Sequence, residues 1–142
     1  MPYFPKQARL FSCWRRLLPP LLLVPMLLLN PTADAAEKTP SIQIWRSKQV
    51  GYFAGYYFPV SVGKKSKPTP VGSFTVKRKV IDYWSKKYDA PMPYAIFFTD
   101  AHALHAGDLS TRSRGCIRLE RQTAAWLYRY AKPGKTKVII HP

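Results

Sequence analysis

Two side chains of this 142-residue chain could together do covalent chemistry on a carbonyl, Cys116 and His105. A thiol attacks as thiolate, and it reaches that state near neutral pH when an imidazole takes its proton or a positive field stabilises the anion. The sequence offers both devices. His105 supplies the imidazole, and Arg112, Arg114 and Arg118 surround the sulfur along the chain. Gly115 lets the backbone approach closely, and the amides of Gly115 and Cys116 are candidate donors to an oxyanion. The competing reading of a single cysteine is a small buried thiol that only packs.

The destination of the chain bears on that choice. Lys6, Arg9, Arg15 and Arg16 form a basic head, Leu17 to Leu29 an apolar run broken by prolines, and Ala33-Asp34-Ala35 a small-residue cleavage site. Residues 1–35 therefore read as a secretory signal peptide, and residues 36–142 as one domain exported across the inner membrane into the periplasm. The apolar run is shorter than the roughly 20 residues of a membrane span, so contact with the membrane is expected only through the leader before cleavage. Cleavage removes Cys13 and leaves Cys116 as the one thiol of an oxidising compartment. There an unpaired sulfur is a liability unless it is buried or used.

Lysine and arginine number 23 against 7 acidic residues, a formal net charge of +16. An anionic partner is expected. Export and the dispersal of the basic residues argue against nucleic acid, and point to peptidoglycan carboxylates or lipid phosphates. A solvated basic surface explains most individual lysines equally well.

Mostly short strands must position the pair. Residues 41–45, 49–54 and 55–62 alternate or run apolar between glycines, an antiparallel meander, and 73–81 reads as one strand with Phe74, Val76 and Arg78 on one face. Residues 82–94 are aromatic, basic and proline-bearing, which predicts a long loop of the kind that lines pockets. Residues 94–99 and 101–105 are two further strands, the second sending Ala103 and His105 to one side and His102 and Leu104 to the other. Glu120 to about Ala131 is the one helix, with Ala124, Leu127, Tyr128 and Ala131 inward and Lys132-Pro133-Gly134 as its stop. Residues 135–140 form the last strand.

Thr69 to Phe74, Met92-Pro93-Tyr94, Leu104 to Gly107 and Ser113-Arg114-Gly115-Cys116-Ile117-Arg118-Leu119, in that order before a helix and a strand, resemble the L,D-transpeptidase (YkuD) catalytic domain. The cysteine-centred motif carries the resemblance and the other pieces support it. The resemblance implies a mainly β, β-sandwich-like fold with one α-helix near the C-terminus, and no cofactor or metal. It implies that Cys116 attacks the peptide bond after the third residue of a peptidoglycan stem peptide and expels the terminal D-alanine, with His105 as base. The thioester then passes to the amine of another stem, making a 3→3 link, or to a lysine of a wall-anchored lipoprotein. Tyr94, Ser113, Arg114 and Arg118 are the substrate-binding candidates, Arg118 for a stem carboxylate. Most members of that family carry histidine where this chain has Arg114, and many have a longer stretch between the base and the cysteine.

Three alternatives stay open. Water or a free D-amino acid in place of the acceptor amine would make the chain a carboxypeptidase or an exchange enzyme. A non-catalytic basic wall-binding module needs only the charge and the aromatics. A zinc site from His102, His105 and Cys116 is opposed by the opposite facing of the two histidines.

Overall fold

The computed structural model describes residues 40–142, so the expected signal peptide and Cys13 lie outside the described residues. Nine strands and one helix follow in order: β1 (Ile42–Trp45), β2 (Val50–Phe53), β3 (Tyr56–Ser61), β4 (Gly72–Thr75), β5 (Arg78–Ser85), β6 (Ala90–Phe97), β7 (Ala103–Ala106), β8 (Ile117–Leu119), α1 (Arg121–Tyr130) and β9 (Lys137–His141). All strands belong to one sheet in the order β4-β9-β1-β2-β3-β8-β7-β6-β5. The expected meander is present as β1-β2-β3, paired antiparallel with Ile44 opposite Gly51 and Gly51 opposite Phe58. The mainly β, sandwich-like fold with a single helix is therefore the one observed.

The two edges of this sheet, β4 and β5, are consecutive in the chain and separated only by Val76 and Lys77. Two residues reach less than about 10 Å, so the sheet must curl until its edges nearly meet. Val76 N–H donates to Thr136 O at 2.9 Å beside β9, and Lys77 N–H donates to Phe97 O at 2.8 Å on β6. The stretch expected as one strand over 73–81 is thus an extended run that changes partners midway. Phe74 and Val76 face inward, while Arg78 is exposed and lays its guanidinium 3.6 Å from the centroid of the Phe97 ring. The curled sheet encloses Ile42, Ile44, Val76, Phe98, Leu104, Ile117, Leu119, Val138 and Ile140, with Ala124, Leu127 and Ala131 of the helix side against them. The inward helix positions are those the periodicity predicts, Tyr128 being half-buried.

Residues 82–94 correct the sequence reading. They form most of a hairpin, β5 against β6, with Asp82 opposite Pro93 and Trp84 opposite Pro91. Prolines are confined to strand edges that need no donor. Pro91 and Pro93 are two apart, so their missing N–H groups fall along one edge, and β6 has β7 beside it only at Ile96 and Phe97. The hairpin turn uses Asp89 at a φ of 46°, and its Oδ1 accepts a hydrogen bond from Trp84 Nε1 at 3.1 Å. Strand β8 and the parallel pairings of β7 with β8 and of β1 with β9 were not anticipated either.

Candidate active site

Parallel pairing of β7 with β8 sets His105 opposite Arg118 and Leu104 opposite Ile117. Paired residues share a face, and period two carries that face from Arg118 back to Cys116. Cys116, Arg118 and His105 therefore stand on one side of the sheet, and Leu104, Ile117 and Leu119 on the other, in the core. All three side chains line a cleft of about 830 Å³.

His105 is buried, 7 % exposed, and its Nδ1 lies 2.8 Å from the carbonyl oxygen of Ala106. A carbonyl only accepts, so Nδ1 carries the proton and Nε2 of the neutral ring is an acceptor. Loss of solvation on burial lowers the imidazole pKa below its usual 6.5; the Ala106 carbonyl opposes that shift and the Arg118 charge adds to it. Cys116 is a free, partly buried thiol. Burial raises its pKa above the ordinary 9.0, opposed by an N–H from Ala103 and by the Arg118 charge. Both shifts favour neutral forms. At the sulfur, loss of solvation is a larger influence than the positive charge of Arg118, which favours the anion. Arg114 instead lies over the Tyr88 ring, 5.1 Å from its centroid.

The turn that presents Cys116 is fastened from inside. Ser113 is 2 % exposed; its hydroxyl accepts from Gly115 N–H at 3.1 Å and donates to Cys116 O. Its backbone N–H donates to Val62 O at 3.1 Å, and Lys64 N–H donates to Ser113 O at 3.0 Å. Gly115 takes a φ of 118°, with His102 so close that a Cβ there would sit 2.9 Å from its Cδ2. Ser113, expected among the substrate-binding residues, lines the cleft but has its hydroxyl engaged within the turn. Of the two amides expected to bind an oxyanion, that of Gly115 is spent on Ser113, while that of Cys116 has no hydrogen-bond partner among the described residues.

Arg118 reaches across the mouth of the cleft, its Nη1 donating to Thr111 Oγ1 at 3.0 Å and lying 3.4 Å from the carbonyl oxygens of Asp108 and Thr111. Ser61 Oγ adds a bond of 2.7 Å to Thr111 O, so the short stretch between His105 and Cys116 is pinned at its midpoint. Tyr94 is not among the residues lining the cleft; at a φ of 56° it packs edge-to-face on Tyr128, centroids 5.9 Å apart, and backs the guanidinium of Arg121. Tyr94, expected among the substrate-binding residues, thus stands behind Arg121, which does line the cleft. The residues 85–93 do line the cleft, through Ser85, Tyr88 and Ala90 to Pro93, as expected of that segment though from a hairpin. Arg112, expected near the sulfur, lines it too; Lys64 and Arg121 also line it and were not singled out, since nothing in the sequence places these two beside Cys116.

The model of the L,D-transpeptidase catalytic domain matches residues 42–140. No curated protein matches the chain. Among solved structures, an L,D-transpeptidase (Yku) from Stackebrandtia nassauensis is 21 % identical with a TM-score of 0.66, over 80 % of this chain and 62 % of its own. An L,D-transpeptidase from Mycobacterium tuberculosis H37Rv is 25 % identical with a TM-score of 0.67, over 73 % and 58 %. L,D-transpeptidase 3 from Mycobacterium tuberculosis, solved with a faropenem-derived adduct, is 22 % identical with a TM-score of 0.66, over 73 % and 60 %. The chain thus spans about six tenths of the length of these solved chains. With the family's model matched over nearly all of the described residues, this chain belongs to the L,D-transpeptidase catalytic domain family.

Proposed function

We propose that the chain is a periplasmic cysteine acyltransferase that acts on peptidoglycan stem peptides and makes 3→3 crosslinks or anchors a protein to the wall. The observation that carries this reading is the contact of His105 Nδ1 with the Ala106 carbonyl at 2.8 Å, which calls for a proton on Nδ1 and makes Nε2 the acceptor, in the cleft that His105 and Cys116 both line. The thiol gives its proton to Nε2 as the sulfur bonds to the carbonyl carbon after the third stem residue. The resulting oxyanion is met by the Cys116 amide. Nε2 then returns the proton to the departing amine of D-alanine as the carbon–nitrogen bond breaks, leaving a thioester. An acceptor amine attacks that thioester, loses a proton to Nε2, and the sulfur leaves and regains it. Water in the acceptor's place gives carboxypeptidase activity and a free D-amino acid gives exchange, by the same steps.

Incubation of the native protein with a carbapenem, followed by mass spectrometry, is expected to show one covalent adduct that is lost in Cys116→Ala. A native protein that stays unmodified would leave only a basic wall-binding module. Digestion of wall material treated with the protein then separates the products: new 3→3 muropeptides or linked protein for transfer, shortened stems for hydrolysis.

A further inference from the structure

Five cations line the cleft, Lys64, Arg112, Arg114, Arg118 and Arg121, against the single carboxylate of Asp108. Asp108 is turned back on its own loop, accepting from Ser110 N–H at 2.9 Å and Ser110 Oγ at 2.5 Å. None of the five forms an ion pair with a protein carboxylate among the described residues; the pair Lys77–Asp100 lies elsewhere, on the surface. Arg118 has its Nη1 committed to the loop at Thr111. Arg114 and Arg121 are held differently, each against a tyrosine: Arg114 over Tyr88 at 5.1 Å and Arg121 over Tyr94 at 5.5 Å from guanidinium carbon to ring centroid. A guanidinium resting on a ring loses little further freedom on binding and keeps a planar fork of donors that matches a carboxylate.

Two tyrosines back these forks. Tyr88 lies in the turn before β6 and Tyr94 within β6, at the left-handed φ that takes it out of the regular pleat, so the two guanidinium groups rest on different parts of one hairpin. Accepting Cys116 as the acylated group, as argued above, we propose that Arg114 on Tyr88 and Arg121 on Tyr94 are two carboxylate subsites of the cleft. The ligand is then a stem peptide that presents two free carboxylates to the cleft, one to each guanidinium. The same peptide with those groups amidated is rejected. An amide cannot accept a charge-assisted pair of hydrogen bonds, and its NH₂ sets donors against donors.

The test uses Cys116→Ala protein, so that binding is read without acylation. A stem tetrapeptide with free carboxylates is titrated by calorimetry against the same peptide amidated at one group and at both. Each amidation is expected to weaken binding about tenfold and both together about a hundredfold, from the usual strength of a hydrogen bond to a charged group, with the gap narrowing in high salt. Adding Arg121→Gln erases the discrimination at one carboxylate and Arg114→Gln at the other, while Arg121→Lys retains part of it. Equal binding of the free and diamidated peptides overturns the proposal, as does discrimination that survives in the double glutamine variant. Carbapenem labelling of the native protein separates the two readings. An adduct without carboxylate discrimination sinks the subsites and spares acyl transfer; discrimination without an adduct sinks acyl transfer.

Discussion

At the scale of single residues, burial disfavours the charged form of both Cys116 and His105. Burial moves the two pKa values in opposite directions, His105 down from 6.5 and Cys116 up from 9.0. The sign for activity follows. A base works unprotonated, so a lowered imidazole pKa keeps Nε2 available to more acidic pH, and the acid limb of the carbapenem acylation rate is expected below 6.5. Alkylation by iodoacetamide, which consumes thiolate, is expected to keep rising above pH 9. Stopped-flow acylation and alkylation across pH 4–10, set by buffer, check both limbs. A resting ion pair would displace them the opposite way, with an imidazole limb above 6.5 and a thiol limb below 9. The pair itself was legible in the sequence, because few residue types can attack a carbonyl or take a proton. The effect of burial on it was not, since proximity to arginines in the chain says nothing of how much water the fold removes from the sulfur.

At the scale of elements, the turn that presents Cys116 leans on a second turn, residues 63–69. Gly63 follows β3 and bridges Ser113. Its N–H donates to Thr69 Oγ1 at 2.9 Å, and a Cβ at this position would sit 2.3 Å from Lys67 O and 2.7 Å from Thr69 N. Both obstacles are backbone, so Gly63→Ala must displace the segment 63–69 and with it the bridge to Ser113. A loss of about 2 kcal/mol or more is expected from such overpacking, seen as a lower denaturation midpoint, together with slower acylation of Cys116. Unchanged stability and acylation rate would show that the two turns are not coupled. The elements read best from sequence were those with local periodicity, the meander and the helix, whose stop at Pro133 and Gly134 is explicit. The hairpin at 82–94 was hidden by prolines that happen to fall on an edge needing no donors. Strand β8 is three residues long and exists through its partners β7 and β3, a pairing that no local pattern announces.

At the scale of the whole molecule, the sheet is kept curled by a narrow seam, and the cleft depends on that curvature. One half holds β4, β9, β1 and β2, the other β8, β7, β6 and β5. They meet through β3, which pairs with β8 at only Val60–Leu119 and Ser61–Arg118. The second junction is the passage of the chain from β4 into β5. Val76 is fully buried there; its N–H donates to Thr136 O, its carbonyl accepts from Gly134 N–H at 2.8 Å, and the next amide, Lys77, donates to Phe97 O. Opening this seam would expose Val76 and the inner faces of both halves. It would also free β6, whose Phe97 is paired with Ala103 of β7, the residue whose N–H meets the Cys116 sulfur. Local opening at the seam is therefore inseparable from loss of the core. The amides of Val76 and Lys77 are accordingly expected to exchange with deuterium at the rate set by global unfolding, as slowly as those of central strand β1. Exchange at 76 and 77 faster than at β1 by two or more orders of magnitude would mean that the halves part while each stays folded. In that case the cleft that His105 and Cys116 share would be a transient closure and not a fixed property of the fold.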